Sequence, residues 1–317
     1  LVIDRLRKFR PDLIHITGPG DMGILGFWAS NILKIPMAAS WHTNLHEYAS
    51  KRLQKAFRFA PCLVRNYIGE TAESQSLRAL MGFYRLAHFT LAPNQGMVNL
   101  LDERTGRPAY LMQHGVDADR FCPQRRERQE GTFCIGYVGR LTPEKNVRSF
   151  VELERNLLAA GQHDFRFLLV GEGSERDWLA RNLKNAELPG TLTGGRLAAA
   201  FAGMDAFVFP SGTDTFGLVV LEAMASGVPV VVTPCTGARV EIEQGVSGFL
   251  AEDFTGSLLE LMRGEALRRR MGAAARRFAC SRMWSSVFEN IYETYDQAFL
   301  RDEVRRRMTP PLPCLPR

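Results

Sequence analysis

Short apolar runs alternate with longer stretches of helical periodicity along most of the chain. Each run is rich in Val, Ile, Leu or Phe and is bounded by polar or glycine-containing turns, which is typical of buried strands. The pattern predicts strands at 12–17, 36–41, 88–92, 109–113, 132–138, 165–170, 206–210, 228–232 and 248–251. Because helical patterns lie between most of these strands, the sequence predicts an α/β fold with parallel sheets.

A polar, charged segment without apolar periodicity, 117–131, interrupts the alternation and is predicted to be an interdomain linker. The length of 317 residues also suits two domains. We therefore predict an amino-terminal Rossmann-like domain at 1–117 and a carboxyl-terminal one at 118–300. Residues 265–300 are predicted to be helical. The Pro- and Arg-rich tail, 301–317, is predicted to be disordered.

Composition narrows the function classes. No apolar run reaches the roughly 18–20 residues of a membrane-spanning helix, and no signal peptide is recognisable. The six Cys are scattered, which argues against disulfides and zinc and favours a reduced, cytoplasmic setting. The net charge of +6 suits anionic ligands or an anionic membrane surface. No nucleic-acid-binding motif accompanies it, so no nucleic-acid partner is predicted.

The most informative segment is 211–233, SGTDTFGLVVLEAMASGVPVVVT. It lies between two apolar strands and contains an acidic residue, Asp214, followed eight positions later by Glu222. Strand, polar loop, helix and strand form one repeat of a doubly wound sheet. Ligands of such sheets bind beyond the carboxyl ends of the strands, where this loop is expected.

The start of the predicted helix offers backbone groups to a ligand. Thr215, Phe216 and Gly217 would present N–H groups that suit phosphate, and Leu218 follows them. Glu222 lies about two turns into the helix, where its carboxylate can accept two hydrogen bonds from a sugar diol. The segment therefore predicts a site for a phosphorylated sugar compound.

Two cations follow another strand. The loop GRLTPEKNV, 139–147, begins with Gly139 and contains Arg140 and Lys145. Arg supplies a planar fork for phosphate oxygens and Lys a compact charge. The alternative is a pair of solvated loop cations, but their place at the ligand edge of the sheet favours phosphate binding.

Two glycine-rich loops are less specific. In VGEGSER, 170–176, Gly171 and Gly173 would permit a ligand to approach the backbone, although a plain strand–helix turn is an equal alternative. HITGPGDMG, 15–23, contains a G-x-G-x-x-G spacing, which suggests a nicotinamide-dependent oxidoreductase. Pro19 removes one N–H from such a cradle, so a glycine-rich turn is the preferred interpretation.

Two features point to other contacts. His42 ends the strand 36–41, where its ring would face a ligand; a structural histidine is the alternative. The segment 48–67 mixes basic and aromatic residues and is helix-compatible. It suggests an interfacial helix on anionic lipid at the inner face of a membrane, against the alternative of an ordinary solvated helix.

Taken together, these motifs resemble those of the family 4 glycosyltransferases, which have the GT-B fold of two facing Rossmann-like domains and retain the anomeric configuration. The resemblance covers about 10–300, and the markers occur in family order: HITGPG, SWHTN, HGVD, GRLTPEKN, VGEGSER and PSGTDTFGLVVLEAMASGVPVV. The last is similar to the paired-acid motif of the family. Its TDTFG form resembles enzymes that use GDP-mannose, UDP-glucose or UDP-sulfoquinovose.

The resemblance implies roles for the donor-binding residues. Arg140 and Lys145 would hold the diphosphate of a nucleotide-sugar donor, and Glu222 would bind the ribose hydroxyls. The backbone at Gly171–Gly173 would line the nucleotide site. No cofactor is implied. No metal site is predicted, since no Asp-x-Asp stands at a strand end.

The resemblance also implies which groups face the transferred sugar. Asp214, with the amides of Phe216 and Gly217, would face the sugar and phosphates, and His42 would contact the sugar from the opposite domain. The reaction would be transfer of a hexose to a hydroxyl acceptor, a lipid or a glycan. The leaving phosphate would act as the base.

The sequence departs from the family pattern in three places. Asp214 stands where many members have Glu, and His114 stands where Asn is usual. The opening strands and Gly-Gly loop of the family have no counterpart, so about 80–100 residues are expected to be missing from the first domain. The alternative function is therefore a donor-binding but inactive fragment or pseudoenzyme.

Overall fold

The chain forms two compact units. The computed structural model describes residues 2–42, 62–127, 131–212, 214, 216–234 and 242–308, without the side chains of 62–69 and 301–308. The first unit comprises Leu1–Gln113 and Val287–Arg317, and the second comprises His114–Ser286. None of the described helices is long and apolar enough to cross a bilayer.

The first unit is built on a four-stranded parallel sheet in the order β1-β2-β3-β4. Its strands are β1 (Ile14–Ile16), β2 (Met37–Ser40), β3 (Phe89–Ala92) and β4 (Ala109–Leu111). Its helices up to β4 are α1 (Val2–Phe9), α2 (Asp21–Leu33), α3 (Cys62–Tyr84) and α4 (Gln95–Thr105). The central strands β2 and β3 are buried throughout, as expected for a sheet covered on both faces.

The second unit contains a six-stranded parallel sheet in the order β10-β9-β8-β5-β6-β7. Its strands are β5 (Phe133–Val138), β6 (Phe165–Val170), β7 (Ala186–Gly190), β8 (Ala206–Phe209), β9 (Val230–Val232) and β10 (Gly248–Leu250). Its helices are α5 (Ser149–Ala159), α6 (Arg176–Asn182), α7 (Gly194–Ala202), α8 (Leu218–Ala225), α9 (Thr255–Arg263) and α10 (Glu265–Cys280), and α11 (Trp284–Met308) begins in it. This strand order is that of a Rossmann fold, whose topological switch point lies between β5 and β8.

All nine predicted strands are present, and the predicted α/β class is confirmed. The tenth strand, β7, was not predicted. It lies at the sheet edge, contains Pro189 and has only one buried residue, Gly190. Proline cannot donate to a strand ladder and is confined to edge positions. An exposed edge strand also lacks a run of apolar residues, so the hydrophobic pattern does not predict it.

The predicted linker is wrong for the described part of 117–131. Ala118 and Phe121 are buried in the hydrophobic core of the second unit. Arg126 donates to the Asp205 carboxylate at 2.9 Å. The hydrophobic pattern does not predict these contacts, because only a few residues of this polar segment face the core.

The carboxyl-terminal boundary also differs from the predicted 118–300 domain and 301–317 tail. The long helix α11 continues to Met308, and from Val287 onward it belongs to the first unit. Ala298 is buried beside strands β2 and β3, and the hydroxyl of Tyr295 lies 2.6 Å from Nδ1 of His15. Residues 309–317 lie outside the described residues.

A buried carboxylate fixes α5 to the start of β7. Glu154 is buried, and its two oxygens accept hydrogen bonds from the backbone N–H groups of Lys184 and Asn185 at 2.9–3.2 Å. A buried charge is tolerable when such donors satisfy it. The Glu154 carboxylate therefore supplies the hydrogen-bond acceptors for the two backbone N–H groups that precede β7.

We predict that Glu154→Ala lowers the free energy of unfolding by about 3 kcal/mol, because two backbone N–H groups lose their acceptor. The matched control is Glu152→Ala, an exposed glutamate on the same helix, which should cost less than about 1 kcal/mol. Urea unfolding of the variants measures both changes. Equal losses for the two variants would contradict this account.

Candidate donor-binding site

Three strand–helix loops meet at the carboxyl edge of the second sheet. Because the strand order is β8-β5-β6, the loops that follow these three strands are neighbours. They contain the predicted segments around Arg140 and Lys145, around Gly171 and Gly173, and around Asp214. The fold thus brings together most of the residues that the sequence singled out.

The glycines of the β6 loop serve packing against the β5 loop. A Cβ added to Gly171 would lie 1.9 Å from the carbonyl oxygen of Gly139, and one added to Gly173 would lie 2.2 Å from that of Leu141. The Leu141 N–H donates to the Glu172 carbonyl at 2.9 Å. The close approach expected at Gly171 and Gly173 is therefore made by a neighbouring backbone.

Lys145 and Asp214 form an ion pair between two of the loops. Lys145 ends a 3₁₀ turn, Pro143–Lys145, and is buried. Its Nζ donates to Oδ1 of Asp214 at 2.5 Å, and the two side chains are 10% and 22% exposed. Burial strengthens the attraction between opposite charges. A predicted phosphate-binding cation thus lies directly beside the first acid of the paired-acid motif.

Arg140 has a different environment. Its side chain is 60% exposed and lies 3.7 Å from the Glu144 carboxylate. Its backbone is anchored, since the buried Tyr137 hydroxyl donates to the Arg140 carbonyl at 3.0 Å. Burial, and then the nearby Asp214 carboxylate, raise the pKa of the Tyr137 phenol, so it stays a donor. The guanidinium is accessible while its main chain is fixed.

The helix α8 begins where the sequence predicted it. Gly217, with φ of 78°, caps the helix, and Leu218 is 42% exposed at its first position. Phe216 is buried, and the ring of His114 lies over it with centroids 4.4 Å apart. Thr215, predicted to contact the donor, lies outside the described residues.

Glu222 lies in the second turn of α8. Burial raises the pKa of its carboxyl to about 7, and the positive charge of Arg120 opposes this increase. Arg120 follows the HGVD motif, and its N–H donates to the Asp117 carboxylate at 2.9 Å. A carboxyl with a pKa near 7 is partly protonated and partly ionised at neutral pH. A bound ligand or a nearby cation then determines whether the protonated or the ionised form prevails.

His42 is the one predicted catalytic residue in the first unit. Its Nε2 lies 2.7 Å from the Ser40 hydroxyl, and burial lowers its pKa. Burial, with the charge of His42, also lowers the pKa of His15 to about 4. The sequence did not identify His15 as a polar neighbour of His42.

The glycine spacing at 15–23 has a packing role. A Cβ on Gly23 would lie 1.8 Å from the Gly18 carbonyl oxygen, so the first turn of α2 is tightly packed on this loop. This geometry accounts for the spacing without a dinucleotide. Among the described residues, no group of three His, Cys, Asp or Glu side chains is placed to hold a metal ion.

Three residues of the site were missed by sequence reasoning. Tyr137 lies in the predicted strand 132–138 and Arg120 in the predicted linker, and His114 is noted only as a departure from the family pattern. Only the position of His114 within the HGVD motif offered a signal. The hydrogen bond from Tyr137 to Arg140 joins residues only three apart, but the apolar strand pattern does not single out a tyrosine hydroxyl. The effect of Arg120 on Glu222 joins distant parts of the chain, and no local pattern encodes it.

Comparisons with known proteins decide the family. Residues 120–278 match the family described as Glycosyl transferases group 1, and residues 1–120 match the Glycosyltransferase Family 4. The chain is a family 4 glycosyltransferase. It is 33% identical to a GDP-mannose-dependent alpha-mannosyltransferase of Mycolicibacterium smegmatis, over 96% of this chain and 78% of that protein. The matched family domains and this relative show that this family 4 glycosyltransferase is a transferase.

More distant relatives agree on the architecture. The sulfoquinovosyl transferase SQD2 of Arabidopsis thaliana is 28% identical, over 87% of this chain and 54% of that protein. The crystal structure of Anabaena Alr3699/HepE in complex with UDP and glucose superimposes with a TM-score of 0.69 at 20% identity, covering 93% of this chain and 81% of that one. The fold of the family 4 glycosyltransferase is GT-B, as the motifs predicted.

The raised pKa of Glu222 predicts a pH-dependent stability. Its folded value of about 7 lies above the ordinary 4.5, so the folded protein holds an extra proton between these pH values. The contribution of this proton to the free energy of unfolding is fully present below the pKa of Glu222 in the unfolded protein, and it is lost as pH rises through 7. Relative to Glu222→Gln, the native protein should lose about 2 to 3 kcal/mol between pH 5 and pH 8.

Urea unfolding of both proteins at the two pH values measures this loss. Glu187→Gln, on the edge strand β7, is the control and should follow the native pH profile. If Glu222→Gln and the native protein show parallel profiles, the carboxyl is not held neutral by its surroundings.

Proposed function

We propose that this family 4 glycosyltransferase transfers a mannosyl group from GDP-mannose to a hydroxyl acceptor, with retention of the anomeric configuration. Three of its relatives, from Mycolicibacterium smegmatis, Mycobacterium tuberculosis and Corynebacterium glutamicum, are GDP-mannose-dependent alpha-mannosyltransferases. The names of these relatives are the reason for proposing GDP-mannose as the donor. UDP-glucose is the second candidate donor, because the TDTFG motif also resembles that of enzymes that use it. The residues of the second unit supply the chemistry.

One observation carries the proposal: the partly buried Lys145–Asp214 pair lies at the carboxyl edge of a Rossmann sheet, in the loop region from which helix α8 starts. This edge is where such sheets bind nucleotides. The amides of Phe216 and Gly217 add the partial positive charge of a helix N-terminus. A diphosphate bound there would replace Asp214 as the partner of the Lys145 ammonium.

The charges then account for catalysis. As the bond between sugar and diphosphate breaks, negative charge grows on the leaving group. Lys145, Arg140 and the helix start stabilise that charge, and donors fixed in advance lower the barrier most. The hydroxyl acceptor attacks the face from which the phosphate departs, and the leaving phosphate takes its proton. The glycosidic bond forms as the bond to the diphosphate breaks.

The remaining predicted residues bind the donor. Glu222 accepts hydrogen bonds from the ribose hydroxyls in its ionised form. The backbone at Gly139 and Gly171–Gly173 and the side chain of Leu218 border the nucleotide. His42 contacts the transferred sugar. These assignments follow the motif positions of the family.

For the acceptor we propose a lipid or a glycan. The supporting feature is the basic, aromatic-containing segment 48–67, which suits contact with an anionic membrane. Residues 43–61 lie outside the described residues, so this contact rests on the sequence alone. A lipid acceptor would be presented at that surface.

A donor screen tests the proposed reaction. The chain is incubated with GDP-mannose, UDP-glucose or UDP-sulfoquinovose and an extract of bacterial lipids and glycans, and nucleotide release and labelled product are followed. We expect GDP and an alpha-mannosylated product. Tight GDP binding without product would favour an inactive donor-binding protein. Release of UDP but not of GDP would show that the donor is a UDP-sugar and not GDP-mannose.

Replacing either cation should remove most of the activity. Lys145→Ala and Arg140→Ala are each expected to lower turnover about a hundredfold or more, since each removes charge that stabilises the leaving diphosphate. The controls are Lys184→Ala and Arg181→Ala, exposed cations in the same unit. Near-native turnover of both Lys145→Ala and Arg140→Ala would disprove their assignment.

A further inference from the structure

A second ion pair joins the β5 and β6 loops outside the proposed donor site. The guanidinium of Arg148 donates from Nε to Oε2 of Glu175 at 2.5 Å and from Nη2 to Oε1 at 3.3 Å. The Glu175 side chain is 7% exposed, whereas that of Arg148 is 56% exposed. A two-point contact of this kind fixes direction as well as distance.

The surroundings hold Arg148 in this geometry. Its guanidinium carbon lies 4.6 Å from the centre of the Trp178 ring, on helix α6. A cation over an aromatic face is attracted to it and loses rotational freedom. Because Glu175 immediately precedes α6, both partners of Arg148 belong to one rigid element. The Arg148 side chain is thus held in one orientation by Glu175 and Trp178, although it is exposed.

The anchor lies close to Lys145 in the chain. The β5 loop is attached to the β6 loop at Leu141, whose carbonyl accepts from the Glu175 N–H at 2.9 Å. It is attached again at Arg148. Lys145 lies between these two points, in a 3₁₀ turn with two backbone hydrogen bonds of 3.0 Å, from the Lys145 N–H to the Thr142 carbonyl and from the Asn146 N–H to the Pro143 carbonyl.

We propose that Arg148 and Glu175 are positioning residues for Lys145, and this rests on the proposed function. They touch neither the diphosphate nor the sugar. By closing the second attachment of the β5 loop, they hold the Lys145 backbone where its ammonium meets the diphosphate after leaving Asp214. Without the pair, the ammonium remains charged but is no longer fixed at one place, and part of its contribution to diphosphate binding is lost.

The test uses GDP and guanosine as probes on the intact chain. Arg148→Ala and Glu175→Gln are compared with the native protein, and ligand-detected NMR covers weak binding. We expect Arg148→Ala to raise the Kd of GDP about tenfold and to leave the Kd of guanosine within about twofold. Arg148→Lys, which keeps the charge without the fork, should restore only part of the loss.

A double-mutant cycle separates positioning from general destabilisation. In a Lys145→Ala background, Arg148→Ala should have no further effect on GDP affinity, because the group that it positions is absent. The control is Arg166→Ala, which breaks the ion pair with Glu187 on strands β6 and β7 and should leave GDP affinity unchanged. Urea unfolding confirms that each variant is folded, and Glu175→Gln provides a second route if Arg148→Ala is unstable.

Three results would overturn the positioning role. The first is native GDP affinity in both Arg148→Ala and Glu175→Gln, and the second is losses from Arg148→Ala and Lys145→Ala that are fully additive. The third is an equal loss for GDP and guanosine, since positioning of Lys145 acts on the diphosphate. If the native protein binds neither GDP nor, in the same assay, UDP, the proposed function fails, and the role of Arg148 fails with it.

Discussion

The proposed donor site depends on one interaction, the ion pair between Lys145 and Asp214. It connects loops that are 69 residues apart in the chain and that are neighbours only because β5 and β8 are adjacent strands. An ammonium that is nearly buried requires an opposite charge. In the absence of ligand the carboxylate satisfies this requirement, and a diphosphate can do so in its place. In the proposed function, the same pair is both a structural contact and an anion site that is formed before the ligand binds.

The neighbouring loops make that arrangement rigid. Gly171 and Gly173 allow the β6 loop to pack on the β5 loop backbone, and no larger residue fits there. Tyr137 supports the main chain at Arg140 from below. The two predicted cations therefore have different environments: Lys145 is fixed and partly desolvated, whereas Arg140 is exposed. In the proposed function, Arg140 would close on a bound ligand. Fixed donors need little reorganisation during a reaction, which is how such sites lower barriers.

The sequence predicted those parts of the molecule in which local pattern and burial coincide. Strands such as β5 and β9 are continuous apolar runs, and the loops after them carry recognisable motifs. Predictions failed where neighbours distant in sequence decide the structure: Pro189 lies in an edge strand, and Phe121 is a core residue within a polar segment. The influence of Arg120 on Glu222 arises from the tertiary fold, so no spacing rule reveals it.

The most direct test of the account is a crystal structure of the chain with GDP bound. The account predicts that diphosphate oxygens lie within hydrogen-bonding distance of the Lys145 ammonium and of the amides of Phe216 and Gly217. The ribose hydroxyls should lie at the Glu222 carboxylate. GDP bound elsewhere on the protein, with the Lys145–Asp214 pair unchanged, would contradict the central claim that this edge of the second sheet is the donor site.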